Sequence, residues 1–171
     1  MAEPSGSRPA FRGRWVRVDE EDWPGVGTWE VVRPLDAACV LAVTPQRDVL
    51  LVRQFRAAAR RRILEVPAGL LDVEGEDPSS CAARELLEET GYRHASMELM
   101  TRVHPSPGFS TELIHVFLAT TDPMPEAPPE EGIELVCLPL AEAVVDARAG
   151  RIEDAKTALA LLLADARTGA G

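Results

Sequence analysis

The chain has no apolar run that approaches the roughly 20 residues needed to cross a membrane. Its first 14 residues, MAEPSGSRPAFRGR, also lack the apolar centre that a signal peptide requires. We therefore expect a cytoplasmic protein with no membrane partner. Hydrophobic residues still make up 46% of the 171 residues, which is enough for one domain with a sizeable core.

Cysteine and positive charge are both scarce. Cys39, Cys81 and Cys137 are far apart and odd in number, which argues against a disulfide framework and predicts three reduced, buried thiols. The formal net charge of −10 argues against nucleic acid as a partner. The basic cluster RQFRAAARRR, residues 53–62, is short and mixed with alanine. It favours a solvated loop or a site for a small anionic ligand.

Local patterns predict a leader, a hairpin and one α/β domain. Residues 1–13 are predicted to be a flexible leader, 14–36 an N-terminal hairpin, and 37–168 the domain itself. Apolar or alternating runs predict the domain's strands at 37–43, 49–55, 62–69, 97–104, 113–120 and 133–139. Helices are predicted at 78–90, 140–150 and 153–167. Residues 122–132, with four prolines and four acids, are predicted to be an exposed mobile loop.

The segment CAARELLEETGY, residues 81–92, crowds three carboxylates onto one helix face. Glu85, Glu88 and Glu89 fall within an arc of about 100°. Each like-charged pair three or four residues apart costs about 0.2–0.5 kcal/mol. A solvent-exposed acidic face is one interpretation. The other is a binding site for Mg²⁺ or Mn²⁺, hard cations that prefer carboxylate oxygens and would remove the repulsion.

Residues 69–92, GLLDVEGEDPSSCAARELLEETGY, resemble the signature of the Nudix hydrolases, G-x5-E-x7-R-E-U-x-E-E-x-G-U, where U is a bulky apolar residue. From Glu76 onward the match is complete. One difference lies before it, since six residues rather than five separate Gly69 from Glu76. The resemblance implies an α/β/α sandwich with a mixed sheet and hydrolysis of a nucleoside diphosphate linked to another group.

The same resemblance implies a metal site with two or three Mg²⁺ ions, or Mn²⁺ in their place. Glu85 and Glu89 would be the main ligands, and Arg84 would orient the carboxylates through charge-assisted hydrogen bonds. Supporting oxygens would come from the Glu88 and Glu76 side chains and from the backbone carbonyl of Ala68.

Two further segments, VRQFRAAARRRILEVPAGLLD and PSPGFSTELIHVFLA, resemble the ADP-ribose pyrophosphatases within this family. In that branch a proline about fifteen residues past the signature marks ADP-ribose specificity, and Pro107, followed by Gly108, stands there; a simple turn is the alternative. By resemblance, Trp15 and Trp29 would stack on adenine with Glu30 nearby. As alternatives, each Trp is a core or dimer-interface anchor.

Three arginines are candidates for contacts to the phosphates or the terminal ribose: Arg33, Arg53 and Arg56. Solubility is the alternative for each, and Arg56 is the strongest candidate because it aligns with the RQ(F/Y)R segment of the family that the chain resembles. Glu65 is interpreted as a partner of one of these arginines or as a carboxylate that supports the metal ligands.

In the ADP-ribose branch that this chain resembles, a glutamate on a mobile loop well after the signature binds a further metal ion or activates water. By that resemblance the loop PPEEGIELV would supply Glu131 as the catalytic base and as a further metal ligand, with Glu130 as the rival and solvated loop residues as the alternative. The resemblance thus implies hydrolysis of ADP-ribose to AMP and ribose 5-phosphate by a homodimer with exchanged N-terminal strands. Hydrolysis of ADP-glucose or GDP-mannose, or a module that senses ADP-ribose without turnover, are the other hypotheses.

Overall fold

The computed structural model describes residues 3–14 and 16–168. None of the helices in these ranges is both long enough and apolar enough to span a membrane. The elements follow the order β1 Gly6–Arg12, β2 Arg17–Trp23, β3 Gly27–Arg33, β4 Ala37–Val43, β5 Asp48–Arg56, β6 Arg61–Glu65, β7 Ala68–Leu70, α1 Pro78–Thr90, β8 His94–Val103, β9 Ile114–Thr121, β10 Glu134–Pro139, α2 Leu140–Arg148 and α3 Ala155–Thr168.

A mixed seven-stranded sheet forms the centre of the domain. Its order is β10-β5-β4-β9-β8, with β6 paired to β5 and β7 to β4. Strands β4 and β9 run parallel, whereas the other pairs are antiparallel. Because side chains alternate along a strand, Val40 of β4 packs in the cluster with α1, and Leu41 packs in the cluster with α2 and α3. The predicted α/β/α sandwich is confirmed.

The N-terminal region contains one more strand than the sequence predicts. Strands β2 and β3 form the expected hairpin, but residues 6–12 of the predicted flexible leader form β1, which pairs with β2. The register shifts between Pro9 and Phe11, and such a bulge accommodates a proline that has no N–H to donate. Arg8 also forms ion pairs with Glu20 at 2.6 Å and Asp22 at 3.2 Å. This pairing, which depends on β2, corrects the leader prediction.

The predicted strand at 62–69 is two strands, separated at Val66 and Pro67. The Val66 N–H donates to Thr157 Oγ1 at 2.8 Å, and Pro67 has no N–H. The chain therefore leaves β5 after β6 and joins β4 as β7.

Cysteine burial follows the prediction at two of three positions. Cys39 and Cys81 are buried free thiols, but Cys137 is exposed. The prediction for Cys137 is wrong, because β10 lies at the end of the sheet order and, within the described residues, pairs with β5 alone.

Candidate active site

Helix α1 carries the acidic cluster and begins and ends at local signals in the sequence. The Asp77 carboxylate accepts hydrogen bonds from the backbone N–H groups of Ser79 at 2.9 Å and Ser80 at 3.3 Å, and Pro78 occupies the first turn. Gly91 ends the helix with a φ of 78°. The helix at 78–90 is confirmed, and its buried residue Leu86 packs toward the sheet.

Glu85 lies directly over Gly69 of β7. A Cβ atom built on Gly69 would come within 1.8 Å of Glu85 Oε1, so only glycine leaves room for this carboxylate. Burial, which the Arg84 guanidinium partly offsets, raises the pKa of Glu85. The carboxylate is therefore held in a place where additional positive charge would stabilise its ionised form.

Glu89 is a buried carboxylate attached to the same strand. Its oxygens accept hydrogen bonds from the Ala68 N–H at 3.0 Å and from Gln54 Nε2 at 3.3 Å. Burial raises the pKa of Glu89 to about 7, and the nearby charge of Glu85 adds to the rise. Strand β7 thus fixes two of the predicted metal ligands, one against Gly69 and one on the Ala68 amide.

Arg84 connects the remaining acids of the signature. Its Nε and Nη2 donate to Glu76 at 2.9 and 3.0 Å, and its Nη1 donates to Glu85 at 2.6 Å and Glu88 at 3.1 Å. The hydrogen bonds from Arg84 lower the pKa of Glu76. The additional residue before Glu76 does not prevent this contact, since the chain turns there through a Glu76 N–H to Val73 carbonyl bond of 3.1 Å. Arg84 therefore compensates the repulsion among the crowded carboxylates.

The carboxylate oxygens of these acids are suitable ligands for a divalent cation. Within residues 3–14 and 16–168, no three His, Cys, Asp or Glu side chains converge as a metal cluster, and Arg84 bridges three of the acids instead. Glu85 and Glu89 nevertheless offer two carboxylate donors whose pKa values are raised by burial, so a bound cation would favour their ionised forms. Hard cations such as Mg²⁺ bind donors of this kind.

The predicted catalytic loop is attached to the end of α1. The Glu130 N–H donates to the Glu88 carbonyl at 2.9 Å, and the Glu126 N–H donates to the Gly91 carbonyl at 2.7 Å. The side chains of Glu130 and Glu131 are exposed. The acidic loop is thus hydrogen-bonded through its backbone to the C-terminal end of α1, and both candidate bases lie on its surface.

A cavity of about 720 Å³ lies between the N-terminal sheet and the loop before β9. The Val32 N–H donates to the Phe109 carbonyl at 2.7 Å and the Thr111 N–H to the Val32 carbonyl at 3.0 Å, which docks the loop on β3. Five residues predicted to bind substrate line this cavity together: Trp29, Glu30, Arg33, Pro107 and Gly108. Trp15 lies outside the described residues.

Comparison with known proteins identifies the family. The NUDIX domain matches residues 33–161 of the chain. The chain belongs to the Nudix family. The ADP-ribose pyrophosphatase of Bacillus subtilis (strain 168) is 39% identical over 136 residues, which cover 77% of this chain and 73% of the relative. The methanol dehydrogenase activator of Bacillus methanolicus is 38% identical over 159 residues, covering 88% and 85% of the two chains. The GDP-mannose pyrophosphatase of Cronobacter sakazakii is 39% identical over 136 residues, covering 73% and 70%.

The three candidate arginines of this Nudix chain lie in different surroundings. Arg33 donates to the buried carboxylates of Asp19 at 2.8 Å and of Glu21, and Arg53 donates to Glu134 at 2.9 Å on the surface. Arg56 donates hydrogen bonds to the Glu65 carboxylate from Nε at 2.6 Å and from Nη2 at 2.8 Å, which confirms Glu65 as an arginine partner. Arg56 also lines a small cavity of about 230 Å³ together with Ala68, Gly69, Glu112 and Lys156, among others.

Sequence reasoning missed two aromatic residues of the larger Nudix cavity, Trp23 and Phe109. The Trp23 indole N–H donates to Glu21 Oε2 at 3.1 Å. Glu21 pairs directly with Trp29 across β2 and β3, so Trp23, two residues on, lies on the same face. The alternation of side chains along β2 could have placed Trp23 beside Trp29. Using this signal requires the register in which β2 pairs with β3.

Proposed function

We propose that this Nudix pyrophosphohydrolase cleaves the diphosphate of ADP-ribose to give AMP and ribose 5-phosphate. The observation that carries the proposal is the cavity shared by Trp29, Pro107 and Gly108, in the same chain as the complete acidic helix. A tryptophan face suits a flat purine base. The ADP-ribose pyrophosphatase named among the relatives, at 39% identity, supports this substrate.

The acids of α1 would hold Mg²⁺, or Mn²⁺ in its place, as two or three ions. Glu85 and Glu89 would be the main ligands, with Glu88 and the Ala68 carbonyl as further oxygens. Ions bound there neutralise diphosphate charge and lower the pKa of the attacking water. Glu76 anchors Arg84, and Arg84 in turn sets the orientation of Glu85.

In the chemical step, the oxygen of a water molecule attacks one phosphorus of the diphosphate. The bond between that phosphorus and the bridging oxygen breaks, and the bridging oxygen leaves with the other phosphate. Glu131, with Glu130 as the rival, accepts the proton that the water loses. The backbone bond from Glu130 to Glu88 supports this assignment because it holds the loop beside the acidic helix.

The lining of the two cavities supports the proposed contacts of Trp29, Glu30 and Arg56, whereas that of Trp15 rests on the resemblance alone. Trp29, together with Trp15, stacks on adenine, and Glu30 accepts a hydrogen bond from it. Arg56 binds the diphosphate or the terminal ribose beside Ala68 and Gly69, which share its small cavity. Arg33 and Arg53 are weaker candidates for substrate binding because each forms ion pairs within the protein. Arg33 pairs with Asp19 and Glu21, and Arg53 pairs with Glu134.

A second candidate substrate is another nucleoside diphosphate sugar. The GDP-mannose pyrophosphatase among the relatives, 39% identical, favours GDP-mannose, and ADP-glucose is chemically similar. A module that binds ADP-ribose without turnover is the third candidate. The complete set of Arg84, Glu85, Glu88 and Glu89 argues against such a module, because binding without turnover does not require every metal ligand.

One assay separates the three candidates. The purified protein is incubated with ADP-ribose, ADP-glucose or GDP-mannose, each with Mg²⁺ or Mn²⁺, and released AMP or GMP is measured. We expect the highest kcat/KM for ADP-ribose. Faster GMP release would favour GDP-mannose, and tight binding without any release would favour the sensing module.

The assembly stays a prediction from the resemblance, and the location stays a prediction from the scattered cysteines. We propose a homodimer with exchanged N-terminal strands in the cytoplasm. Light scattering of the purified chain, whose monomer mass is 18.5 kDa, tests the dimer directly.

A further inference from the structure

The chain contains one lysine among its 18 basic residues, and the side chain of that lysine is largely shielded from solvent. Lys156 lies in the first turn of α3, and its side chain is 13% exposed. Burial alone disfavours the ammonium, but the charges of Asp154 and Glu65 raise the pKa of Lys156. The residue is therefore a fixed positive charge inside the domain, and the mechanism described above does not use it.

Lys156 and Arg56 hold the same carboxylate from two sides. Lys156 Nζ donates to Glu65 Oε2, which also accepts from Arg56 Nη2, while Glu65 Oε1 accepts from Arg56 Nε. The Glu65 side chain is 3% exposed, so three charge-assisted hydrogen bonds replace its water. One buried acid thus connects α3 to Arg56 at the end of β5.

The beginning of α3 is itself fixed to the strands of the site. Asp154 accepts bonds from Lys156 Nζ at 3.0 Å, from the Thr157 N–H at 3.0 Å and from Thr157 Oγ1 at 2.6 Å. Thr157 Oγ1 in turn accepts the Val66 N–H at 2.8 Å, just before β7. Lys156 is thereby held at a constant position relative to Ala68, whose N–H binds Glu89.

Arg56 keeps one edge available for a ligand. Its two bonds to Glu65 use Nε and Nη2, which leaves Nη1 directed away from that pair. Arg56 lines the small cavity beside Ala68 and Gly69, and the charge of Glu89 acts on it. An anionic group bound next to the acids of α1 would therefore meet the outer edge of Arg56.

We propose that Lys156 is a positioning residue for the reaction proposed above, holding Glu65 so that Arg56 presents its outer edge to the diphosphate. The identity of the ligand rests on the proposed function. Without Lys156, the buried Glu65 carboxylate has Arg56 as its remaining cation. The Glu65 carboxylate would then neutralise the Arg56 guanidinium more completely. The substrate would meet a weaker positive electrostatic potential at this site.

Kinetics of matched variants test this proposal. Lys156→Met removes the charge and keeps the length of the side chain, and Lys156→Arg restores the charge. Arg61→Met is the control, because Arg61 forms an exposed pair with Glu153 at 2.9 Å next to α3 and changes the net charge equally. We expect Lys156→Met to raise KM for ADP-ribose about tenfold with kcat within about threefold, Lys156→Arg to recover part of the loss, and the control to match wild type. An unchanged KM in folded Lys156→Met would overturn the proposal.

A second measurement does not depend on turnover or on folding of the lysine variants. Since Lys156 is the only lysine, ¹³C-lysine labelling gives one side-chain Cε signal in the NMR spectrum. Titration with inorganic pyrophosphate and Mg²⁺ should shift this signal in wild type, and Arg56→Met should abolish the shift. A signal that does not respond in wild type, or responds equally in Arg56→Met, would contradict the connection through Glu65. If ADP-ribose is not hydrolysed, the proposed substrate fails while this titration still decides the role of Lys156.

Discussion

The carboxylate of Glu85 occupies the space where any residue other than glycine at position 69 would place its Cβ. The two groups belong to α1 and β7, and a Cβ on Gly69 would lie 1.8 Å from Glu85 Oε1 and 2.7 Å from its Cγ. Such a distance is far below van der Waals contact. The position of the helix's first predicted metal ligand therefore depends on the absence of one methyl group in the neighbouring strand.

Gly69→Ala should displace the Glu85 carboxylate without unfolding the protein, because a flexible side chain can move aside. We expect kcat to fall by about a hundredfold, the scale of a misplacement of about 1 Å in a catalytic group. Gly6→Ala is the control, since a Cβ there would lie 3.4 Å from Asp22 Oδ2, an ordinary contact. Steady-state kinetics and thermal unfolding of both variants are measured. A kcat near that of wild type in Gly69→Ala would show that the position of Glu85 is not critical.

Glu89→Gln should abolish most of the turnover while the fold stays intact. The amide keeps the shape of the side chain and an oxygen for the Ala68 N–H, but it removes a negatively charged metal ligand. We expect kcat to fall by at least about a hundredfold. Glu98→Gln, which changes an exposed acid paired with Arg167, is the matched control. Turnover of Glu89→Gln at the level of the control would remove Glu89 from the metal site.

The stability of the metal-free protein should depend on pH through Glu89. Its pKa is about 7 in the folded chain against an ordinary value of 4.5. The folded state therefore favours the protonated acid, and this stabilisation is complete below about pH 4.5 and is lost as the pH rises toward about 7. Glu89→Gln has no proton to lose at this position. Raising the pH from 5 to 8 should therefore make Glu89→Gln more stable relative to wild type. The difference in free energy of unfolding should change by at most about 3 kcal/mol.

Urea unfolding of both proteins in EDTA at the two pH values provides the measurement. Adding Mg²⁺ at pH 8 should stabilise wild type more than Glu89→Gln, because the ion binds the ionised carboxylate of the folded state. The same stability difference between the two proteins at pH 5 and pH 8 would contradict the buried, raised pKa of Glu89.

Trp29→Ala should weaken substrate binding more than it slows the chemical step. Stacking of a base on an aromatic side chain is worth about 1–3 kcal/mol, so KM for ADP-ribose should rise about tenfold or more. Trp29→Phe should retain part of the affinity. Val145→Ala, which truncates an exposed apolar residue on α2, is the control. If Trp29→Ala leaves KM unchanged but alters the oligomeric state, Trp29 is an interface anchor instead.

Local sequence signals predicted most elements of this fold. The cap at Asp77, Pro78 in the first turn and the terminal Gly91 gave the bounds of α1, and the apolar run at 37–43 gave those of β4. These signals work because they act within one turn or one strand. The strand at 62–69 was predicted to close at Pro67 and Gly69, but its division into β6 and β7 was missed because it depends on the bond from Val66 to α3.

Contacts between distant segments were beyond sequence reasoning. Strand β1 forms through its pairing with β2 despite a polar sequence that contains Pro9. Trp23 joins Trp29 only because of the hairpin register. Lys156 meets Glu65 across 91 positions in the chain, and no periodicity or motif spacing connects them. The family signature located the acids, whereas the supporting network required the three-dimensional structure.

The most direct test of the metal site is a crystal structure with Mg²⁺ and an ADP-ribose analogue whose bridging oxygen is replaced by a methylene group. We predict ions at about 2.0–2.1 Å from carboxylate oxygens of Glu85 and Glu89, with the diphosphate on their other side. A bound analogue with no ion at these two side chains, and with Arg84 still bridging Glu76, Glu85 and Glu88, would contradict the account.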